Sequence, residues 1–430
     1  MTLAGGSGSL SFDDMPASDV ANATPLTRRS FVAAAAAATV GAHGINLVEQ
    51  EVAHDSSSRS RAPNANFDPW IEVDRAALAE NVRTVSRLAG GRPIIAVVKN
   101  NAYGLGLDAG AHVFAELPEV SLLAVVRSDE ALALRKAGVR KPILLMGPAT
   151  EDELLELVPL DVVQSPYRDA APAILGRVAQ RLGRPVRVHL YIDTGMHRMG
   201  MPVDQALEWA ESLVRSQGVQ IEGAFTELTE DADFDRQQAT RLRQLQSAAK
   251  ARGLTIPLLH AASSDAVMHP TTETFLDAVR PGLSLYGGYP SEESRQRGEL
   301  RAAYRLRARV IRVDHLAAGE GVSYHRRYVT EQPAWTATIA VGHVDGYPTG
   351  AVKGCEVFAN GRLFPVIGTV SASHTLINLG SDQSLRVGDD VTLVGPDHPA
   401  IHPNEIAKRA GWPEYNMFMH LSPRLSRRLV

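Results

Sequence analysis

Lys99 closes the apolar run Ile94–Val98 and opens the segment Asn100-Asn101-Ala102-Tyr103-Gly104-Leu105-Gly106. A lysine at the end of a buried strand can be desolvated, which disfavours its charged form and frees the amine for Schiff-base chemistry. Taken alone, the same residue also suits a solvated surface charge. Arg280 stands just before Pro281-Gly282, and its guanidinium stays protonated at any working pH, so it can donate hydrogen bonds but cannot accept a proton. His260, in His260-Ala261-Ala262-Ser263-Ser264, is compatible with a ligand-facing ring or with a satisfied core histidine. Tyr324 follows Gly321-Val322-Ser323 and by itself reads as a strand aromatic. Cys355 is the only cysteine, which excludes an internal disulfide and any cysteine-based metal site; no metal is expected.

These side chains need a scaffold that brings strand ends together. After Asp68 eight short apolar runs recur, at Ile94–Val98, Leu122–Val126, Ile143–Met146, Val162–Val163, Val186–Ile192, Val219–Phe225, Ile256–His260 and Leu283–Tyr286. Between them, stretches such as Asp129–Ala137 and Asp204–Arg215 carry apolar residues three and four apart, the spacing of a helix with one buried face. That alternation predicts an α/β fold, a (β/α)8 TIM barrel, with a doubly wound open sheet as the other architecture writing the same unit. In a barrel, Lys99 would lie at the C-terminal mouth, where active sites of this fold sit. From Tyr304 onward β-branched residues alternate with polar ones, as in Ala308–Val313, Thr336–Val341 and Val391–Val394, with Gly-rich turns between them. A mostly β C-terminal domain is expected over 303–430, following a barrel over 67–302.

The Lys99 segment closely resembles the cofactor-attachment motif of the alanine racemase family. Five more blocks match that family in order: Asp193-Thr194-Gly195-Met196-His197-Arg198-Met199-Gly200, His260–Ser264, Val279–Gly287, Gly319–Tyr324 and Asp345-Gly346-Tyr347-Pro348. Collinear blocks of this kind are far more specific than any one of them. The resemblance implies a barrel with a trailing β domain, pyridoxal 5′-phosphate as cofactor, and a head-to-tail homodimer with shared active sites acting on a small amino acid. It implies that Lys99 holds the cofactor and serves as base on one face of Cα, while Tyr324 from the neighbouring subunit serves the opposite face. Arg280 would face the pyridine nitrogen, keep the ring neutral and disfavour transamination, with His260 beside it. Arg198 would contact the phenolic oxygen of the cofactor and help receive substrate, and Tyr103, Ser264 and the amides of Gly282 and Leu283 would receive the phosphate.

Several positions depart from the family pattern. Asn100 and Leu105 replace commoner residues of the attachment motif, and Glu227 stands where a histidine near the cofactor ring is usual. A carboxylate there is expected to pair with Arg280. Ala372-Ser373 replaces a Met-Asp pair that helps receive substrate, His343 replaces an entry tyrosine, and Tyr191 replaces a modified lysine that orients the arginine matched by Arg198. Ser422-Pro423-Arg424 offers the phosphate no tyrosine. A smaller lining at Ala372 predicts a wider pocket, since one methylene is worth only about 1–3 kcal/mol in an apolar site.

The whole chain sets outer bounds on these readings. It has 430 residues, 44 Lys plus Arg against 48 Asp plus Glu, a formal net charge of -4 and 44% hydrophobic residues. That composition describes a globular protein and disfavours nucleic acid as main partner, because phosphate binding needs a concentrated basic surface. Residues 1–66 read as an export signal and disordered linker: Arg28-Arg29 precedes the weakly apolar run Ala33–Val40 and a small-residue stretch, as in a twin-arginine signal. That run is far short of the roughly 20 residues a membrane span needs, so no stable membrane anchor is expected. A periplasmic or secreted location follows, or a cytoplasmic one if the arginine pair is fortuitous. The function expected is pyridoxal-phosphate-dependent racemisation of alanine or a broader set of amino acids. The alternatives are a decarboxylase or aldolase on the same fold, or a catalytically silent cofactor-binding homologue.

Overall fold

The computed structural model describes residues 67–269 and 272–430; the Arg28-Arg29 segment and the linker expected over 1–66 lie outside them. Among the described residues, no helix is long and apolar enough to cross a membrane. The chain begins with strand β1 (Trp70–Val73) and the helix Arg75–Leu88, whose start is capped by Asp74 accepting from the Ala77 amide at 2.9 Å. Then come β2 (Ile94–Val97), β3 (Val120–Val125), β4 (Ile143–Leu145), β5 (Val162–Gln164), β6 (Val186–Asp193), β7 (Met201–Pro202), β8 (Val219–Phe225) and β9 (Leu259–His260).

Strands β2, β3, β4, β5, β6, β8 and β9 pair in parallel in that order. Parallel bridges His260↔Ala278 and Ile94↔Val279 close the ring back onto β2. The Ile95 amide donates to the Val279 carbonyl at 2.8 Å and the Val97 amide to that of Pro281 at 3.0 Å. Ala278–Val279 is therefore the eighth stave, and the architecture is the barrel rather than the open sheet. The eighth run expected as a strand, Leu283–Tyr286, is a 3-10 turn instead. Its chain reverses at Gly287, in a left-handed conformation at φ 87°, while the Tyr286 hydroxyl turns inward and donates to the Val97 carbonyl at 3.1 Å. Apolar content there reflects packing beneath the barrel mouth, not strand pairing.

The second layer contains β10 (Tyr304–Leu316), β11 (Gly321–Val322), β12 (Tyr328–Val329), β13 (Ala334–Ile339), β14 (Glu356–Ala359), β15 (Arg362–Ile367), β16 (Thr375–Gly380), β17 (Asp390–Val394) and β18 (Ser426–Leu429). The order is β13-β16-β15-β14-β17-β10, and β10 also pairs with β13, which closes this sheet on itself. The thirteen-residue β10 serves both neighbours because a register shift between Val310 and Arg312 bends it. Tyr304, Leu306, Ala308 and Val310 face the core, and the intervening arginines face outward, the period of two read from the sequence.

The two sheets do not divide along the chain at 302/303. Strand β1 runs antiparallel to β10 and parallel to β18, so it belongs to the β domain's sheet although the barrel follows it. Trp70 is buried, with the guanidinium carbons of Arg307, Arg309 and Arg428 at 5.8, 5.3 and 4.4 Å from its ring centroid. Such cation–π contacts, together with the ladder pairing, hold β1 there.

Candidate active site

Lys99 leaves the C-terminal end of β2 into an unusual local structure. Asn100, Asn101, Ala102 and Tyr103 all adopt left-handed φ values of 54, 58, 51 and 53°. For L-residues this costs roughly 1–2 kcal/mol each, less for asparagine, so the surroundings must enforce it. Asn101 Oδ1 accepts from the Leu107 amide at 3.0 Å, and Glu130 reaches the Asn101 amide at 3.3 Å. Glu130 is buried and also accepts from the Val126 and Arg127 amides at 3.3 and 3.2 Å. The turn thus aims Lys99 and, four residues on, Tyr103 into the barrel mouth.

A cavity of about 330 Å³ opens there, lined by Lys99, Tyr103, Arg198, Glu227, Ser264, Arg280, Gly282 and Tyr415 among others. Burial pushes the Lys99 amine below its ordinary value; Glu227 works against this, and Arg198 and Arg280 add to it. Burial raises the Tyr103 phenol well above its usual range, so it stays a neutral donor. Its ring stacks on Tyr286 at 4.6 Å between centroids.

Next to Tyr103, three donors converge on one serine hydroxyl. Ser264 Oγ accepts from the Gly282 amide at 2.9 Å, the Ser284 amide at 3.1 Å and the Ser284 hydroxyl at 3.1 Å. A Cβ at position 282 would fall 2.0 Å from the Tyr103 hydroxyl oxygen, so only glycine lets the backbone approach this closely. The amide sharing this hydroxyl with Gly282 comes from Ser284, next to the expected Leu283.

Arg280 is all but buried and spends its donors in three directions. Nη1 donates to His260 Nδ1 at 3.1 Å, and Nη2 donates to the Thr226 carbonyl at 3.0 Å and Glu227 Oε2 at 2.8 Å. Since the guanidinium only donates, His260 Nδ1 must accept, which leaves its proton on Nε2 to donate to His189 Nδ1 at 3.0 Å. Burial, Arg280 and His189 hold His260 well below its ordinary value, and burial lowers His189 to about 4. The relay is a chain of neutral rings that orients Arg280. Phe225 stacks on His260 at 5.0 Å and on Tyr191 at 4.4 Å.

Arg198 comes from a loop folded on Asp193, whose Oδ1 accepts from the Gly195 and His197 amides at 2.9 and 3.1 Å. The short β7 pairs with the end of β6 and closes that loop. Arg198 lies 3.9 Å from Glu227 Oε1, and its charge also bears on the phenol of Tyr191, which stands in place of the orienting lysine. Buried Gln238 donates to the Glu227 carbonyl at 3.0 Å and to Thr194 Oγ1 at 3.3 Å, tying the Glu227 loop to the loop that carries Arg198.

Of the expected residues, Lys99, Tyr103, Arg198, Ser264, Arg280 and Gly282 line one cavity, with His260 directly behind Arg280. Tyr324, Ala372 and Ser373 do not line it. Tyr324 is 67% exposed on the β domain. The His343 and Val344 amides bond to the Ser371 and Ala372 carbonyls at 3.0 and 3.1 Å, and a Cβ on Gly368 would lie 2.8 Å from Ser323 Cβ. The loops bearing Tyr324, His343 and Ala372-Ser373 therefore adjoin on one face. Sequence reasoning did not reach Glu130, Ser284 or Tyr415. Glu130 had a local signal, its place in the first turn of the helix Ser128–Lys136; Tyr415 reaches the cavity only by long-range packing.

Fold and site together define a two-domain barrel enzyme in which a lysine amine, an arginine and a serine hydroxyl share one cavity. Residues 73–290 match the family model "Alanine racemase, N-terminal domain" and 303–429 match "Alanine racemase, C-terminal domain". The chain is 31% identical over 366 residues to "Alanine racemase 2" of Caldanaerobacter subterraneus subsp. tengcongensis, covering 83% of this chain and 93% of that protein. It is also 31% identical over 367 residues to an alanine racemase of Methanococcus maripaludis, covering 83% and 97% respectively. Among solved structures, the alanine racemase of Clostridium difficile 630 superposes with a TM-score of 0.79 at 26% identity, covering 85% of this chain and 97% of that one. That of Streptomyces lavendulae does so with a TM-score of 0.79 at 28% identity, covering 85% and 98%. The chain belongs to the alanine racemase family and is an isomerase.

Proposed function

We propose that this protein is a pyridoxal-phosphate-dependent racemase that interconverts L- and D-alanine and accepts other small amino acids. The observation that carries the proposal is the meeting, in one cavity, of a lysine amine with lowered proton affinity, an inward arginine and the Ser264 hydroxyl with its bonded Gly282 backbone. The donor set fits the cofactor: the Ser264 hydroxyl, the Gly282 backbone and a neutral tyrosine at the cavity wall suit a phosphate dianion, and Arg280 is a donor that a pyridine nitrogen can accept from. Lys99 would hold its carbonyl carbon. When bound, pyridoxal phosphate supplies a conjugated ring that takes up the negative charge left as the α-proton departs.

The chain's own residues divide the remaining work. Lys99 Nζ removes or returns the α-proton on one face of Cα, and its desolvation, which disfavours the protonated amine, suits that role. Inversion requires a second group on the opposite face, and Tyr324 of a second copy of this chain is assigned that role. Exposure of Tyr324 and its place on one face with Ala372, Ser373 and His343 support a homodimer with shared sites. Arg280 cannot pass a proton to the ring nitrogen, which favours simple proton exchange over transamination. Ala372 in place of a larger side chain supports a pocket wider than alanine needs. Export through the Arg28-Arg29 segment, with domains at 1–66, 67–302 and 303–430, completes the proposal.

Incubating purified protein with single L-amino acids in heavy water tests it. Deuterium at Cα together with the D-enantiomer is expected, and Lys99→Ala should be colourless and inert. Release of amine or aldehyde without racemisation, or absence of exchange with every amino acid, would overturn the reading. Tyr324→Phe should slow conversion of one enantiomer by roughly tenfold or more.

A further inference from the structure

Glu227 is the one acid that touches both arginines of the cavity. Its Oε2 accepts from Arg280 Nη2 at 2.8 Å and its Oε1 lies 3.9 Å from Arg198 Nη2. The Arg280 side chain is 2% exposed and that of Glu227 28%, so this pair is poorly screened. Thr226, the preceding residue, takes the other Nη2 hydrogen through its carbonyl, and Gln238 pins the Glu227 carbonyl itself. With Nη2 donating twice and Nη1 donating to His260, the guanidinium is held by three partners at the cavity wall.

We propose that Glu227 is a positioning residue: its single carboxylate clamps Arg280 and Arg198, helps hold the Arg280 guanidinium at the cavity wall, and offsets both positive charges at the Lys99 amine. The inference rests on the reading of Lys99 and Arg280 given under Proposed function, and it makes the family's histidine replacement at this position a functional change rather than a neutral one. The reasoning is electrostatic. Two guanidinium groups facing a partly desolvated amine disfavour its protonated form, and they would do so more strongly without a compensating anion. The charged groups bearing on Lys99 are Glu227, Arg198, Arg280 and Glu130, in that order. Glu130 is committed to three backbone amides, and Glu230, which also lines the cavity, interacts with Arg198 and not with Arg280, which leaves Glu227 as the acid that contacts both arginines. A charge at this position therefore sets the fraction of Lys99 that is free to act as base near neutral pH.

The test is a pH titration of Lys99 in the full-length chain freed of cofactor with hydroxylamine. The rate of acetylation of Lys99 by an amine-directed reagent is followed by peptide mass spectrometry. Glu227→Gln and Glu227→Met both remove the charge, and each is expected to move the midpoint of labelling to lower pH and to raise the rate at pH 7 by roughly threefold or more. Glu227→Asp keeps the charge and should restore most of the wild-type midpoint. In the cofactor-loaded protein, the pH at which the visible absorbance of the bound cofactor changes should fall in the same two variants. A wild-type labelling midpoint in either folded, uncharged variant overturns the proposal, as does an Asp variant that titrates like Gln. Because labelling needs no cofactor, a wild-type chain that takes up none overturns the functional reading while the titration still decides the role of Glu227.

Discussion

Replacing His189 by glutamine should abolish a defined part of the protein's acid sensitivity. His189 is 2% exposed and burial holds it near about 4, against an ordinary value of 6.5. A base with a depressed native pKa stays neutral in the folded chain while the unfolded chain takes up a proton. Between pH 6.5 and about 4 the unfolded state therefore binds one more proton, so this contribution is fully present above pH 6.5 and is lost as pH falls toward 4. A difference of about 2.5 units at 1.36 kcal/mol each gives roughly 3 kcal/mol. Glutamine keeps an acceptor for the His260 Nε2 proton but cannot titrate, so the stability gap between wild type and variant should shrink by about 3 kcal/mol over that range. The contribution of His402 is common to both proteins and cancels, while burial and Arg280, the larger causes of the His260 shift, keep that ring below its ordinary value in either protein. Thermal unfolding of the cofactor-free chain at steps from pH 7 to 4.5 measures the effect, expected as a relative change of several degrees in Tm. Wild type and variant losing stability in parallel would refute the neutral relay from Arg280 through His260 to His189.

Further predictions concern the Ser264–Gly282 contact and the turn. Gly282→Ala places a methyl 2.0 Å from the Tyr103 hydroxyl oxygen and should lower cofactor affinity about tenfold or more, with about 1–3 kcal/mol of lost stability, by equilibrium titration and thermal unfolding. Ser264→Ala leaves the Gly282 and Ser284 amides without their shared acceptor and should cost about 1–3 kcal/mol in the cofactor-free chain; phosphate should recover part of that in a shift assay. Asn101→Ala removes the acceptor of the Leu107 amide and puts a less tolerant residue at φ 58°, for an expected loss of about 1–2 kcal/mol.

The parts legible in the sequence were those with a local cause. Burial of one helix face or one strand face imposes a period, and that period marked seven barrel strands and the alternating β10. Lys99 could be placed because a strand end has a direction. The eighth stave escaped because Ala278–Val279 is too short to write a pattern, whereas Leu283–Tyr286 is apolar for a different reason, packing beneath the mouth. Strand β1 escaped as well: its partners are more than two hundred residues away in β10 and β18, and no local period encodes such a pairing.

By itself the sequence determined the alternation of strands and helices, the trailing β domain and the residue types available at strand ends, since these follow from short-range patterning; closure of the ring into a barrel came from the long-range pairing of Ala278–Val279 with β2. Tertiary structure alone decided how those residues act on one another. It put Glu227 between two arginines, linked His260 and His189 in a chain behind Arg280, and turned four consecutive residues left-handed so that Lys99 and Tyr103 share a cavity. Charge interactions and desolvation depend on distance and burial in space, which the order of residues along a chain does not specify.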